Sequence, residues 1–251
     1  MTELVSTRRE GRVLVVSMRR EEKRNAVNRA LADAIDGALN SLDDNNELWA
    51  GVLTGTATVF SAGSDLTAAG DYYTDRGGEY GIVRRQRKKP LIAAVEGAAL
   101  GGGLEIVLAC DLVVASTAAR FGLPEVSIGV IPTCAALFRA PRSFPLNLAR
   151  EMILTGQSID ATRAYSAGFV NVLAEPGEAV HRAVDLASQI CSNAPLSVQA
   201  CLTVVNGLTG RDDAMGWEET SKAFASLQGS KDTEEGIRSF LEKRPPIWTG
   251  Q

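Results

Sequence analysis

The stretch "KPLIAAVEGAALGGGLEIVLACDLVVAS", residues 89–116, reads as strand, glycine-rich turn, helix, strand. Residues 90–97 are a continuous apolar strand and 111–116 another. Between them, Gly101, Gly102 and Gly103 sit where a helix must start, and Glu105 falls in that helix's first turn. The glycines admit two readings. One is a tight strand-to-helix turn that needs positive φ. The other is a backbone kept bare so that a ligand can approach the free N–H groups of the helix start.

Outward from this stretch the pattern stays mixed. Strands are expected at 12–18, 48–55 and 58–61, and a helix at 28–42. Residues 71–89 read as polar and Gly-broken, then helical, with the basic run "RRQRKK" (84–89) as a solvated helix face. Apolar strands alternating with helical segments imply buried βα units. After about residue 143 the pattern is helical, over 146–156, 160–168, 177–193, 195–208 and much of 211–243. The fold class expected is α/β, with a core over 1–195 and a C-terminal helical region over 196–251.

Composition narrows the function. The chain has 251 residues and a net charge of −4, which argues against non-specific nucleic-acid binding. No stretch reaches the roughly 20 apolar residues of a membrane span. The start "MTELVSTRRE" is too polar for a signal-peptide core, so a cytoplasmic protein is expected. Cys110, Cys134, Cys191 and Cys201 form no C-x-x-C pair and none adjoins a histidine, so they read as buried or incidental thiols and no metal site is expected. His181 is the single histidine, on a charged helix face, and no G-x-S-x-G elbow exists, which leaves a serine hydrolase without its parts. Gly103–Leu104 stand where a phosphate-binding loop needs Lys-Ser/Thr, and Ile106 where a dinucleotide fingerprint needs its third glycine.

A second small-residue loop, "FSAGSDL" (60–66), follows a strand in the same way. Ser61, Ala62, Gly63 and Ser64 are small, and Asp65 suits a helix cap. Two such loops could together form an oxyanion hole. Glu105 suits either the helix dipole or proton transfer. Glu125, in "FGLPEVSIGVIP" (121–132), is either a turn former or a partly buried carboxyl with a raised pKa. With no useful histidine, the two glutamates are the candidates for acid and base work.

These motifs, in this order and spacing, resemble the crotonase superfamily, the enoyl-CoA hydratase/isomerase family. "KRNAV" (23–27), "EMILTGQSIDATRAYSAGFVNVL" (151–173) and "EGIRSFLEKRPPIW" (235–248) extend the resemblance over nearly the whole chain. It implies repeated ββα units with roughly perpendicular sheets, and a trimerisation region over 196–251. The implied activity is reversible hydration of a trans-2-enoyl-CoA, as in fatty-acid β-oxidation, with no cofactor beyond the coenzyme A of the substrate. Isomerisation, carnitinyl-CoA dehydration and non-catalytic acyl-CoA binding are the alternatives.

By the same resemblance the N–H groups of Ser64 and Gly102 form the oxyanion hole, and Glu105 and Glu125 are the hydratase pair. Ala62 lies near the adenine and Lys23 or Arg24 near the CoA phosphates. Ala26, Ser61, Gly63, Asp65, Leu66, Gly101, Pro132 and Thr133 line the substrate path. Phe240 and Lys243 approach the site of a neighbouring subunit in a homotrimer or a hexamer of two trimers. One departure stands out: "TCAALFRA" (133–140) replaces the glycine-rich segment usual after the third motif.

Overall fold

A computed structural model describes residues 4–68 and 70–251. Twelve strands and nine α-helices are present among them. The main sheet holds six strands in the order β1 (Val5–Glu10), β2 (Val13–Met18), β3 (Ala50–Thr54), β7 (Leu91–Val95), β9 (Leu112–Ser116) and β12 (Val172–Ala174). The β1–β2 pair is antiparallel and every later pair is parallel. A second sheet has the order β11 (Ile159–Asp160), β10 (Arg120–Gly122), β8 (Ala98–Leu100) and β4 (Val59–Ser61).

The chain visits the two sheets alternately. Each of β3, β7 and β9 in the first sheet is followed within a few residues by β4, β8 and β10 in the second. This is the repeated ββα superhelix, and it stacks the loops after β4, β8 and β10 at one end of the second sheet. Sequence pattern drives it. In β2, Val13 and Val15 face one way and Leu14 and Val16 the other; β7 divides Ile92 and Ala94 from Leu91, Ala93 and Val95. The first set packs under α6 (Ala179–Cys191) through Ala179, Ala183, Val184 and Ala187. The second joins the main core with Phe60, Leu104 and Phe121. Full burial on both faces explains the unbroken apolar runs.

The remaining helices are α1 (Arg29–Asp44), α2 (Gly102–Leu108), α3 (Ala136–Ser143), α4 (Leu146–Thr155), α5 (Ala161–Ser166), α7 (Pro195–Thr209), α8 (Asp213–Leu227) and α9 (Lys231–Glu242). Residues 71–89 correct the helical expectation. They form a two-stranded ribbon, β5 (Tyr73–Thr74) with β6 (Gly78–Glu79), then turns. Gly78, Tyr80 and Gly81 all take positive φ, which no helix tolerates. The basic run is not a solvated face either. Arg85 is buried against Asp36 (2.6 Å) and Asp43 (2.8 Å), Arg87 pairs with Asp111 (2.6 Å), and Lys89 donates to the carbonyls of Leu42 and Asn45 at the end of α1. Alternate residues are held, as in an extended segment rather than a helix.

Among the described residues no helix is long and apolar enough to cross a membrane. Helices α7 and α8 leave Leu196, Val204, Val205, Leu208, Met215 and Phe224 exposed.

Candidate active site

The two glycine-bearing loops meet. A Cβ on Gly63 (φ +93°) would lie 2.8 Å from the Gly102 nitrogen and 2.9 Å from the Leu100 carbonyl oxygen, so only glycine allows this approach. The loop after β4 is held by the segment before α1. Val27 N–H donates to Gly63 and Asp65 N–H to Val27, which makes an isolated parallel bridge between Val27 and Ser64. The bridge uses the Asp65 amide and Ser61 Oγ takes the Gly63 amide, which leaves that of Ser64 itself. The Gly102 amide is likewise an unpaired donor at the start of α2. Among the described residues neither amide has a hydrogen-bond partner. Two backbone donors from distant segments are therefore free beside one another.

Glu105 is 2 % exposed on the first turn of α2. Its Oε1 accepts hydrogen bonds from the amides of Cys134 (2.7 Å) and Ala136 (3.1 Å), while no described group donates to Oε2. Burial pushes its pKa up to about 7, against the lowering pull of those two amides. Glu125 sits in the short 3-10 turn Pro124–Ile128. It is half-buried, with Oε2 enclosed and unpartnered and Oε1 so near Gly101 that a Cβ there would come within 3.0 Å. Burial, then the facing charge of Glu105, raises its pKa to about 8. Two acids with pKa values raised to near neutral or just above therefore share one site. Glu96 makes the contrast: it is also buried, but its two oxygens accept the amides of Gly177 and Ala179 at the start of α6, a structural cap.

Residues 8–251 match the family model described as enoyl-CoA hydratase/isomerase. The chain belongs to the enoyl-CoA hydratase/isomerase family. It is 36% identical over 246 residues to a short-chain-enoyl-CoA hydratase of Clostridium acetobutylicum, covering 94% of each chain. It is 35% identical to a 2,3-dehydroadipyl-CoA hydratase of Escherichia coli over the full length of both. Among solved structures, a carnitinyl-CoA hydratase from Mycobacterium avium superposes with a TM-score of 0.94 at 39% identity, covering both chains fully. The crotonase-type fold of this hydratase/isomerase family member follows from that superposition.

The other expected site residues fall into three groups. Lys23 and Arg24 are exposed at the rim of the second sheet, with Arg24 and Asn25 in the left-handed region. The carbonyl of Arg24 accepts the Ala62 amide, which places the 23–26 turn and Ala62 side by side, with Ala26 half-buried between them. A second group is consumed in supporting the loop. Ser61 donates to the Asn25 carbonyl and accepts the Gly63 amide. Asp65 pairs with Arg20 (2.8 Å) and accepts from Thr67, and those bonds hold its pKa below the ordinary value. Both therefore position Ser64 rather than face a ligand. Leu66 is exposed, Pro132 buried and Thr133 half-buried. The third group is Phe240 and Lys243, exposed at the end of α9. That helix packs on this chain's own Glu125-bearing turn: Gly236 lies against Ile128, and Thr233 donates to the Gly129 carbonyl (2.8 Å).

The "TCAALFRA" departure has a definite place. Cys134 and Ala136 supply the amides that hold Glu105, and Ala135 between them takes φ +84°. An alanine thus occupies a left-handed position better suited to glycine. Sequence reading missed Arg20, Asn25, Tyr72, Tyr80 and Cys134. Their contributions depend on contacts across sixteen to more than sixty residues of chain, or on main-chain donors, and carry no local motif.

Proposed function

We propose that the protein hydrates a trans-2-enoyl-CoA to a 3-hydroxyacyl-CoA, reversibly. The observation that carries this reading is the pair of unpartnered amides, Ser64 and Gly102, beside two carboxyls that titrate around neutral pH. The thioester carbonyl accepts from both amides, which draws electron density from C3. Glu105, with Oε1 pinned and Oε2 unengaged, takes a proton from water as the water oxygen bonds to C3. The alkene pair moves into an enolate held by the two amides. Glu125 gives its proton to C2, and the carbonyl re-forms. The proton gained by Glu105 and that lost by Glu125 are balanced through the shared site. Each amide contributes about 2.7–4 kcal/mol to the transition state. Lys23, Arg24 and Ala62 would hold the nucleotide end of coenzyme A, which arrives as part of the substrate; no separate cofactor enters the scheme.

The exposed apolar side chains of α7 and α8 support assembly of 196–251 into a homotrimer, or a hexamer of two trimers. In that arrangement Phe240 and Lys243 would reach a neighbour's CoA site. Mass measurement in solution tests it: a monomer would overturn it.

The test of activity is loss of enoyl-thioester absorbance with crotonyl-CoA. Glu105→Gln and Glu125→Gln are each expected to cut kcat by at least about a hundredfold while leaving CoA binding in place. Full activity in both variants would overturn the assignment. The M. avium carnitinyl-CoA hydratase likeness supports a second reading, dehydration of carnitinyl-CoA on the same site. Faster turnover of carnitinyl-CoA than of crotonyl-CoA would select it.

A further inference from the structure

Around Glu105 five side-chain hydroxyls and thiols gather. The Tyr80 hydroxyl bonds Ser64 Oγ (2.7 Å) and packs on the Cα of Gly102. The Tyr80 and Tyr72 rings stack with centroids 4.6 Å apart. Cys134 Sγ lies 4.0 Å from the Tyr72 hydroxyl and 3.8 Å from Thr133 Oγ1. Tyr80 and Cys134 are each 1 % exposed, whereas Tyr72 is only half-buried. Tyr80 holds this place with a left-handed backbone (φ +56°), a conformation a bulky residue adopts only when its surroundings enforce it.

An acyl chain bound as described has its carbonyl at Ser64 and Gly102 and its C2–C3 bond at the glutamates. Its next atom, C4, runs past the carboxylate that the Cys134 amide holds, and so meets the Cys134 and Tyr72 side chains. We propose that Tyr72, backed by Tyr80, Ser64 and Cys134, ends the acyl pocket in a neutral polar wall that selects a short enoyl-CoA carrying a hydroxyl on C4. This inference rests on the hydratase reading.

Three observations fix the ligand class. The wall is backed by buried side chains, Tyr80 and Cys134, so a long chain running that way meets packed protein. The wall is uncharged, because burial pushes the Tyr72 phenol up to about 12 and Tyr80 and Cys134 well above their ordinary values. Arg84, close by in sequence, is paired with Glu79 (2.9 Å) and stacked over the Trp217 ring (3.7 Å), so it is not a free partner for a carboxylate tail. The Tyr72 hydroxyl has Ser64 and a long contact to Cys134 Sγ as its neighbours, so it keeps bonding capacity that a ligand hydroxyl fills and a methyl cannot.

The experiment compares kcat/KM for 4-hydroxycrotonyl-CoA, crotonyl-CoA and trans-2-decenoyl-CoA in the wild type and in Tyr72→Phe. The wild type should prefer the hydroxylated substrate by about tenfold over crotonyl-CoA, and should turn over the ten-carbon ester at least about a hundredfold more slowly. Tyr72→Phe should bring the first ratio to about one. Titration with CoA checks that the variant is folded, and the wild-type comparison stands without it. Equal rates on the two four-carbon esters, or a ratio unchanged by Tyr72→Phe, would overturn the inference. No hydration of any of the three would instead overturn the hydratase reading beneath it.

Discussion

Replacing Glu125 with glutamine should make the protein more stable at alkaline pH, and the structure sets the size. The carboxyl is half-enclosed, its Oε2 has no partner, and its pKa rises from 4.5 to about 8 through burial and the facing Glu105. At 1.36 kcal/mol per pH unit the full rise corresponds to about 5 kcal/mol of penalty on the ionised form. Solvent at its open edge, and the share owed to Glu105, reduce this to about 2–3 kcal/mol.

The sign follows from proton binding. Between pH 4.5 and 8 the folded protein keeps a proton that the unfolded chain has released, so stability falls as pH rises through that window and levels off above it. Glutamine is neutral in both states and removes that slope. Urea unfolding of wild type and Glu125→Gln at pH 6 and pH 9, at one protein concentration, measures the difference. The variant should be more stable by about 1 kcal/mol at pH 6, where less than half of the window is crossed, and by about 2–3 kcal/mol at pH 9. Parallel pH curves for the two proteins would refute the reasoning.

Three further outcomes are expected. The pH profile of kcat/KM should be bell-shaped, with apparent pKa values near 7 and 8: activity falls below the first as Glu105 takes a proton and above the second as Glu125 loses one, and Glu125→Gln should abolish the alkaline limb. Gly63→Ala should lower kcat by about a hundredfold, since its methyl would press on the Gly102 nitrogen at a positive φ; steady-state turnover of crotonyl-CoA reads this. Ala135→Gly should raise stability by about 1 kcal/mol, seen as a higher Tm, because it relieves a left-handed alanine.

Much of the site was legible because its parts are local. Strand–glycine–helix at 90–105 and strand–small loop at 58–66 announce themselves in composition. Gly63 and Gly102 then touch because β4 and β8 are neighbours in the second sheet, a pairing that successive ββα turns impose. Residues 71–89 were misread for a physical reason. Their charges suggested a helix face, yet Arg85, Arg87 and Lys89 alternate with Arg84, Gln86 and Lys88 at the spacing of an extended chain, and the groups that hold them are Asp36, Asp43 and Asp111 and the carbonyls of Leu42 and Asn45. Long-range ion pairs of this sort have no local signature. The strands β8 and β10 are only three residues each and were hidden beside stronger signals. Tyr72 and Tyr80 were out of reach as well, since their meaning lies in contacts with Ser64, Gly102 and Cys134.

Infrared difference spectroscopy tests the central claim most directly. A trans-2-enoyl-CoA labelled with carbon-13 at the thioester carbonyl would be bound to the Glu105→Gln, Glu125→Gln double variant, which holds it unreacted. Two backbone donors aimed at one oxygen should move the carbonyl band to lower frequency than in water, and Gly63→Ala added to that background should move it back. A carbonyl band unchanged from that of the free thioester would mean that Ser64 and Gly102 do not polarise the substrate.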